Sequence, residues 1–380
     1  MNIFNPEHDL CMANGDANFV PPASALDFGK DCAGLTRWID QSSDNEVVPW
    51  GWDAVLKRRL QKEGVPGSML PSDADIAEIR RLSHRRIAVN ASVYVNDFQA
   101  NADARLLKYL RPISYVREIT DVNALTPAVE EFGDAVLKAP LSGSGKGLRW
   151  ARCNELSASD LGWSRNVIAK QGSIMVEKRL EIVQDFAMLF HVGRSEVSFE
   201  GYSMFFNDNG IYKGNVLASD AHILSRISCY VPNELIINVK AALEKYLERE
   251  FLSKYTGYVG ADMFIYKEAG EYRLAPVGEL NVRMTMGLLA RRLYDRHLCG
   301  NQQQINLLHP DDSDLPTSYM KLADMDGQYA MCVEYSPIPG KLYSEKDEFL
   351  EILTEITPAS RYAVVVKSLN QNRKYSLALR

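Results

Sequence analysis

The sequence predicts an α/β chain with α+β character, in which a small alternating layer precedes a longer region of strands and hairpins. Three observations predict it. First, Met1–Phe4, Glu46–Trp50 and Arg86–Asn90 are short apolar runs of strand length, spaced by helical patterns over Trp52–Glu63 and Ser72–Ser83; such alternation reads as a small layer with a parallel sheet. Second, the apolar runs lengthen further along, over Ala135–Ala139, Ile174–Glu177, Phe186–Val192, Glu196–Phe205 and Ile211–Leu217. Third, Tyr258–Tyr266 and Tyr272–Asn281 are strand-like segments separated by Glu268-Ala269-Gly270-Glu271, a hairpin pattern.

The elements follow in order. Ser72 is placed to cap the second helix, with Asp73 and Asp75 favourable in its first turn. Asn101–Leu110 reads as a helix that stops before Arg111-Pro112, since proline removes a donor and restricts its predecessor. The change to longer strands sets a domain boundary near residue 95, giving a first unit over 1–95 and a second over 96–300. Asn233–Lys254 and Met284–His297 have helical periodicity within that second unit. The remainder, 301–380, is an extension of unplaced role with a helix expected over Ser344–Ile356 and a strand over Tyr362–Ser368.

Composition excludes several functions. An apolar fraction of 46% and a charged fraction of 24% are those of an ordinary globular chain, and the net charge of -6 offers no basic field for nucleic acid. Met1-Asn2-Ile3-Phe4-Asn5-Pro6 lacks the basic and apolar regions of a signal peptide. No apolar run approaches the roughly 18–20 residues that span a bilayer. Cys11, Cys32, Cys153, Cys229, Cys299 and Cys332 are scattered without a Cys-x-x-Cys pair, so reduced thiols and a cytoplasmic location are expected. The first strand is not followed by Gly-x-Gly-x-x-Gly, which argues against a dinucleotide site.

The chemistry gathers late in the chain. Glu279 and Asn281 leave one face of their strand, and Arg283 continues the row. A two-residue turn at Gly270-Glu271 places Asp262 opposite Glu279. Two carboxylates, an amide oxygen and a guanidinium on one face suit magnesium and phosphate better than a core. Upstream, Lys138 ends a mostly apolar strand, where an unpaired ammonium is costly without an anionic partner. Leu141-Ser142-Gly143-Ser144-Gly145-Lys146-Gly147 follows, a loop whose glycines let backbone N–H groups close on an anion. It is not a Walker A loop, because Pro140 and Gly147 stand where glycine and serine or threonine are required. The strand Ser173–Glu177 then runs into Lys178-Arg179-Leu180 and Gln184-Asp185, a strand edge able to meet a purine.

Taken in order, these pieces resemble the ATP-grasp superfamily over roughly 96–300, with 1–95 in the place of the small Rossmann-like α/β domain that precedes it. The resemblance implies a two-subdomain fold, with subdomains over about 111–178 and 179–300, and the following roles. Lys138 and Lys146 would hold ATP phosphates, under a lid formed by Ser142, Gly143, Ser144, Gly145 and Lys146. Glu177, Arg179 and Leu180 would read adenine and Asp185 the ribose; Lys213 would add a cationic contact, as would Arg226. Asp262, Glu279 and Asn281 would ligate one or two Mg²⁺ ions, with Mn²⁺ an alternative, and Arg283 would neutralise the transferred phosphoryl group. The implied activity is ATP-dependent joining of a small-molecule or peptide carboxylate to an amine through an acyl phosphate. A small-molecule kinase and a non-catalytic nucleotide binder are the alternatives, and a homodimer is compatible with each. Three departures bear on the substrate more than on the nucleotide site: the Asp262-to-Glu279 spacing of 17 is long for this hairpin, Val282 follows Asn281 where carboxylase-like members carry proline, and the tail matches no part of the pattern.

Other residues have plainer readings. His8, in Asn5-Pro6-Glu7-His8-Asp9 at a strand end, either serves an acceptor pocket or caps a loop. His191 reads as a sheet residue, Trp38, Trp50 and Trp52 as packing, and Arg80-Arg81 and Arg85-Arg86 as a solvated face around a helix end.

Overall fold

The computed structural model describes residues 1–39, 46–142, 147–152, 155–208, 211–297, 326–335, 349–354, 357 and 359–369. The amino-terminal layer contains β1 (Asn2–Ile3), α1 (His8–Asn14), α2 (Ala23–Asp31), β2 (Val48–Pro49), α3 (Ala54–Lys62) and α4 (Asp73–Leu82). Strands β1 and β2 pair in parallel, as the alternation predicts. Asn5 continues from β1 and grips Gly51 on both sides, donating to its carbonyl at 2.8 Å and accepting its N–H at 3.3 Å. Asp53 then caps α3 by accepting from Val55 and Leu56, each at 2.9 Å. Ser72 caps α4 reciprocally with Asp75, an arrangement worth about 1 kcal/mol.

Helix α5 (Arg85–Asp103) corrects the strand expected over Arg86–Asn90 and takes in the first residues of the helix expected over 101–110. The rest of that stretch, Ala104–Tyr109, is a tighter 3₁₀ segment. Ile87, Ala88, Ala91, Ser92, Val95 and Gln99 are buried along one helical stripe, and a short window over 86–90 shows too little of that period to separate helix from strand. Residue 95 lies inside this helix.

Strands β3 (Val116–Ile119), β4 (Asp134–Lys138), β5 (Leu148–Arg152) and β6 (Ile174–Lys178) make a small antiparallel sheet in the order β3-β6-β4-β5. Helices α6 (Leu125–Phe132) and α7 (Ala158–Gln171) cover one face of it, where Ala135, Leu137, Ala151, Ile174 and Val176 are buried. The opposite face carries Lys138 and Glu177.

Among the described residues the larger sheet has eight strands, in the order β11-β10-β7-β8-β9-β12-β14-β13. They are β7 (Glu181–Val192), β8 (Val197–Asp208), β9 (Ile211–Leu217), β10 (Gly257–Glu268), β11 (Glu271–Asn281), β12 (Tyr329–Tyr335), β13 (Phe349–Ile352) and β14 (Tyr362–Ser368). Helix α8 (Asp220–Ile227) and the long α9 (Asn233–Phe251) pack with α5 against one face, sharing a core with Phe186, Met188 and Phe190. Helix α10 (Met286–His297) lies on the other, with Ala187, Leu189, Phe4 and Trp50.

The described strands of the tail, β12, β13 and β14, are therefore part of the large sheet. Strand β13 corrects the helix expected over 344–356: residues 349–352 pair with the valine-rich β14, and an available strand edge outweighs local propensity. The rest of that expected helix, apart from 353 and 354, lies outside the described residues. Strand β14 is where the sequence places it. Among the described residues no helix is long and apolar enough to cross a membrane.

A candidate nucleotide and metal site between the sheets

The hairpin β10–β11 turns at Ala269-Gly270, with φ of 51° and 84°, not at Gly270-Glu271. Close to the turn the pairing follows from that: Glu268 faces Glu271 and Phe264 faces Ala275. Between Asp262 and Phe264 the register shifts, because β11 carries Pro276, Val277 and Gly278 where β10 carries only Met263. Asp262 thereby comes opposite Glu279, the partner the sequence proposes, through a bulge rather than through the turn. Cross-strand partners share a face, so the two carboxylates lie together.

Asn281 donates its amide to Asp262 Oδ2 at 2.9 Å and accepts from Arg283 Nη2 at 2.9 Å. Burial, followed by the charge of Glu279, pushes the Asp262 carboxyl up to about 7, with Asn281 and Arg283 pulling the other way. Asp185 is pushed up to about 6 by burial, although Asn207 donates to it at 3.1 Å and Lys138 draws it down. The charge of Asp185 also acts on Asp262. Burial disfavours both charges more than the nearby cations favour them, and a divalent cation would stabilise the ionised forms.

Among the described residues no three His, Cys, Asp or Glu side chains already converge as a metal cage. Magnesium does not need one: it is held by one or two carboxylates, keeps waters, and takes its remaining ligands from phosphates. Asp262, Glu279 and the Asn281 oxygen fit that requirement.

The small sheet supplies the opposing charge. Lys138 Nζ lies 2.9 Å from Glu177 Oε2, and Arg111 Nη1 lies 3.1 Å from the same oxygen. Burial disfavours the Glu177 carboxylate, but Lys138 and Arg111 outweigh it and hold its pKa below the usual range. Burial lowers the pKa of Lys138, against the pull of Glu177. Glu177 thus sits between two cations as well as beside the hinge. Arg111 also donates to the Val277 carbonyl at 3.3 Å, which ties the small sheet to the hairpin.

Arg85, the first residue of α5, spans the gap between the sheets. Its Nη2 is 2.9 Å from Glu279 Oε1, its Nε donates to the Ala139 carbonyl at 3.1 Å, and Nη2 reaches Ser142 Oγ at 3.3 Å. The two ends of the glycine loop are pinned as well. Ala139 N–H donates to the Gly147 carbonyl at 2.8 Å, and at φ 87° a Cβ on Gly147 would meet the Ser142 Cβ at 2.7 Å. Gly143, Ser144, Gly145 and Lys146 lie outside the described residues.

The remaining expected residues are spread along the cleft. Arg179 donates its N–H to the Asp134 carbonyl at 2.9 Å and extends its guanidinium over Trp150; Leu180 joins it to β7. Lys213 occupies a register shift of β9, and its ammonium lies 5.2 Å from the centre of the Tyr335 ring. Arg283 is held in a bidentate pair by Asp9, at 2.8 and 2.7 Å. His8 is buried against Gly51, 3.5 Å from Asp53, so the acid next to it is the one that reaches the row.

Arg85, Arg111, Asp9 and Asn207 are the site residues that sequence reasoning missed. Arg85, Arg111 and Asp9 reach their partners across the fold, and Asn207 reaches Asp185 from the adjacent strand β8. Arg85 starts a helix, where a cation opposes the helix dipole and so needs a partner, but that signal is hidden when 86–90 is read as a strand.

No protein-family model matches the sequence, and no curated protein matches it. Solved structures do. N5-carboxyaminoimidazole synthetase from Staphylococcus aureus, complexed with ADP, aligns with a TM-score of 0.50 and 14% identity over 100% of this chain and 96% of that one. The biotin carboxylase domain of Hydrogenobacter thermophilus 2-oxoglutarate carboxylase, in complex with MgADP, ADP and bicarbonate, aligns with a TM-score of 0.48 and 13% identity over 85% of this chain and 70% of that one. The Staphylococcus aureus synthetase has the ATP-grasp fold, and this chain shares that fold.

Proposed function

We propose that the chain is an ATP- and Mg²⁺-dependent ligase that joins a carboxylate to an amine or similar nucleophile through an acyl phosphate. The observation that supports this reading is the Asp262–Glu279–Asn281 row with Arg85 on Glu279, beside a small sheet whose Lys138 is held by Glu177 and draws on Asp185. Lys138 and Arg85 would lie along the phosphates, Glu177 orients Lys138, and the strand end at Arg179-Leu180 offers backbone groups to the base. Mg²⁺, when bound at Asp262, Glu279 and Asn281, would offset charge on the phosphate oxygens; Mn²⁺ would satisfy the same donors.

In the first step a substrate carboxylate oxygen attacks the γ-phosphorus, the bond to the bridging oxygen breaks, and ADP leaves with that electron pair. In the second the amine attacks the acyl carbon, the C–O bond to phosphate breaks, and the amine proton is lost to the departing phosphate or to water. The chain's share is positioning and cancellation of charge, which explains a site rich in cations and carboxylates without a paired nucleophile. Arg283, fixed between Asp9 and Asn281, stands next to the row, where an acidic substrate would meet it.

The test is ADP release with pairs of candidate acids and amines, followed by detection of the amide. Phosphate retained on a hydroxyl product would identify a kinase instead. Mg²⁺-dependent ATP binding that survives Glu279→Ala would remove the site assignment.

A further inference from the structure

Two large apolar side chains left in solvent by the fold flank the hinge between the sheets. Trp150, on the edge strand β5, is 59% exposed, and Ile182, just past Leu180 on β7, is 50% exposed. The β4–β5 ladder sets Trp150 opposite Val136, and the β4–β6 ladder sets Val136 opposite Glu177. The three form one row on the face turned away from α6 and α7, and Lys138 shares that face two residues further along β4. Arg179 braces the indole from the hinge: its guanidinium lies 5.2 Å from the ring centre, with Asp134 3.7 Å from the same guanidinium. On the large sheet, Ile182 pairs with Tyr266 just past a register shift, and Tyr266 shares a strand face with Phe264, the partner of Asp185.

We propose that Trp150 is a nucleobase-positioning residue, its indole forming the outer wall of the base site with Ile182 opposite. The inference rests on the ATP reading above and adds the element that holds the base. The order along β4 fits, with Val136 and Trp150 at the hinge end and Lys138 at the loop end. Stacking on an indole accepts any base face, so this wall holds the ring while the strand edge at Arg179-Leu180 is left to choose it. A packed core would have buried a side chain of this size, and the charged neighbours Arg179 and Asp134 do not cover it.

The test measures Mg²⁺-dependent binding of ATP and of inorganic tripolyphosphate to the full chain, together with tryptophan emission. The expected result is quenching by ATP that Trp150→Phe abolishes, and roughly tenfold weaker ATP binding in Trp150→Ala with tripolyphosphate unaffected. Wild-type ATP affinity in Trp150→Ala would overturn the proposal and leave the nucleotide site standing. Equal weakening of ATP and tripolyphosphate would also overturn it, since the indole would then act through the phosphate groups. Failure of the wild-type chain to bind ATP at all would remove the underlying reading.

Discussion

Arg85 Nη2 stands 2.9 Å from Glu279 Oε1, so a helix from outside both halves of the cleft reaches the carboxylate row. The same guanidinium holds the Ala139 carbonyl at the base of the glycine loop. A group that touches both the loop and the row lies where transferred phosphate would pass. Arg85→Met is expected to lower ADP release by on the order of a hundredfold, the cost of removing one preorganised donor. A steady-state assay at saturating Mg²⁺ checks it; unchanged turnover would leave Arg85 a structural brace.

The Asp262 carboxyl titrates at about 7, above its unfolded value near 3.8. Its contribution to stability is therefore complete below about pH 4 and is lost as the pH rises through about 7. Asp262→Asn should raise the melting temperature of the metal-free chain at pH 8 and leave it nearly unchanged at pH 4. Metal must displace that proton, so apparent Mg²⁺ affinity should climb by up to about tenfold per pH unit below 7 and flatten above it. Calorimetric titration across pH 5.5–8.5 would show the slope, and a flat profile would contradict it.

Glu177 holds two cations in a buried position. Glu177→Leu leaves Lys138 and Arg111 without their carboxylate and is expected to cost about 3–5 kcal/mol. Urea unfolding of the metal-free chain measures this directly. A loss below about 1 kcal/mol would mean that solvent reaches the pair.

Asp9 fixes Arg283 through two hydrogen bonds from the far end of the chain. Asp9→Asn should leave ATP binding intact and lower turnover by roughly tenfold to a hundredfold, as loss of an orienting partner does elsewhere. The informative readout is the split between KM for the acid and KM for ATP. A change confined to ATP would place Arg283 on the nucleotide instead.

Much of this architecture was legible because hairpins and helices carry local periodicity. The β10–β11 pair, α9, α10 and the Ser72 cap are all patterns within one segment. Asp262 opposite Glu279 was readable for a subtler reason: the turn was misplaced, yet the bulge shifts β11 by two residues, and an even shift keeps each side chain on its face. What stayed hidden depends on distance in the chain. Asp9 meets Arg283, and Arg111 meets Glu177, only because separate layers dock, and no spacing within either segment encodes that. The strand at 86–90 failed for want of length, since five residues cannot show a 3.6-residue period. The pairing of 349–352 depends on β14, which no local preference reveals.

The large sheet imposes an order of assembly on the growing polypeptide. Strand β9 leaves the ribosome long before β12, its neighbour, and β14 must then slot between β12 and β13. Until Tyr329–Tyr335 arrives, the main-chain groups of Ile211–Leu217 remain an unclosed border beside Phe206 and Val216. A chain cut before that strand would keep every charged group discussed above and would still be a sticky, self-pairing species.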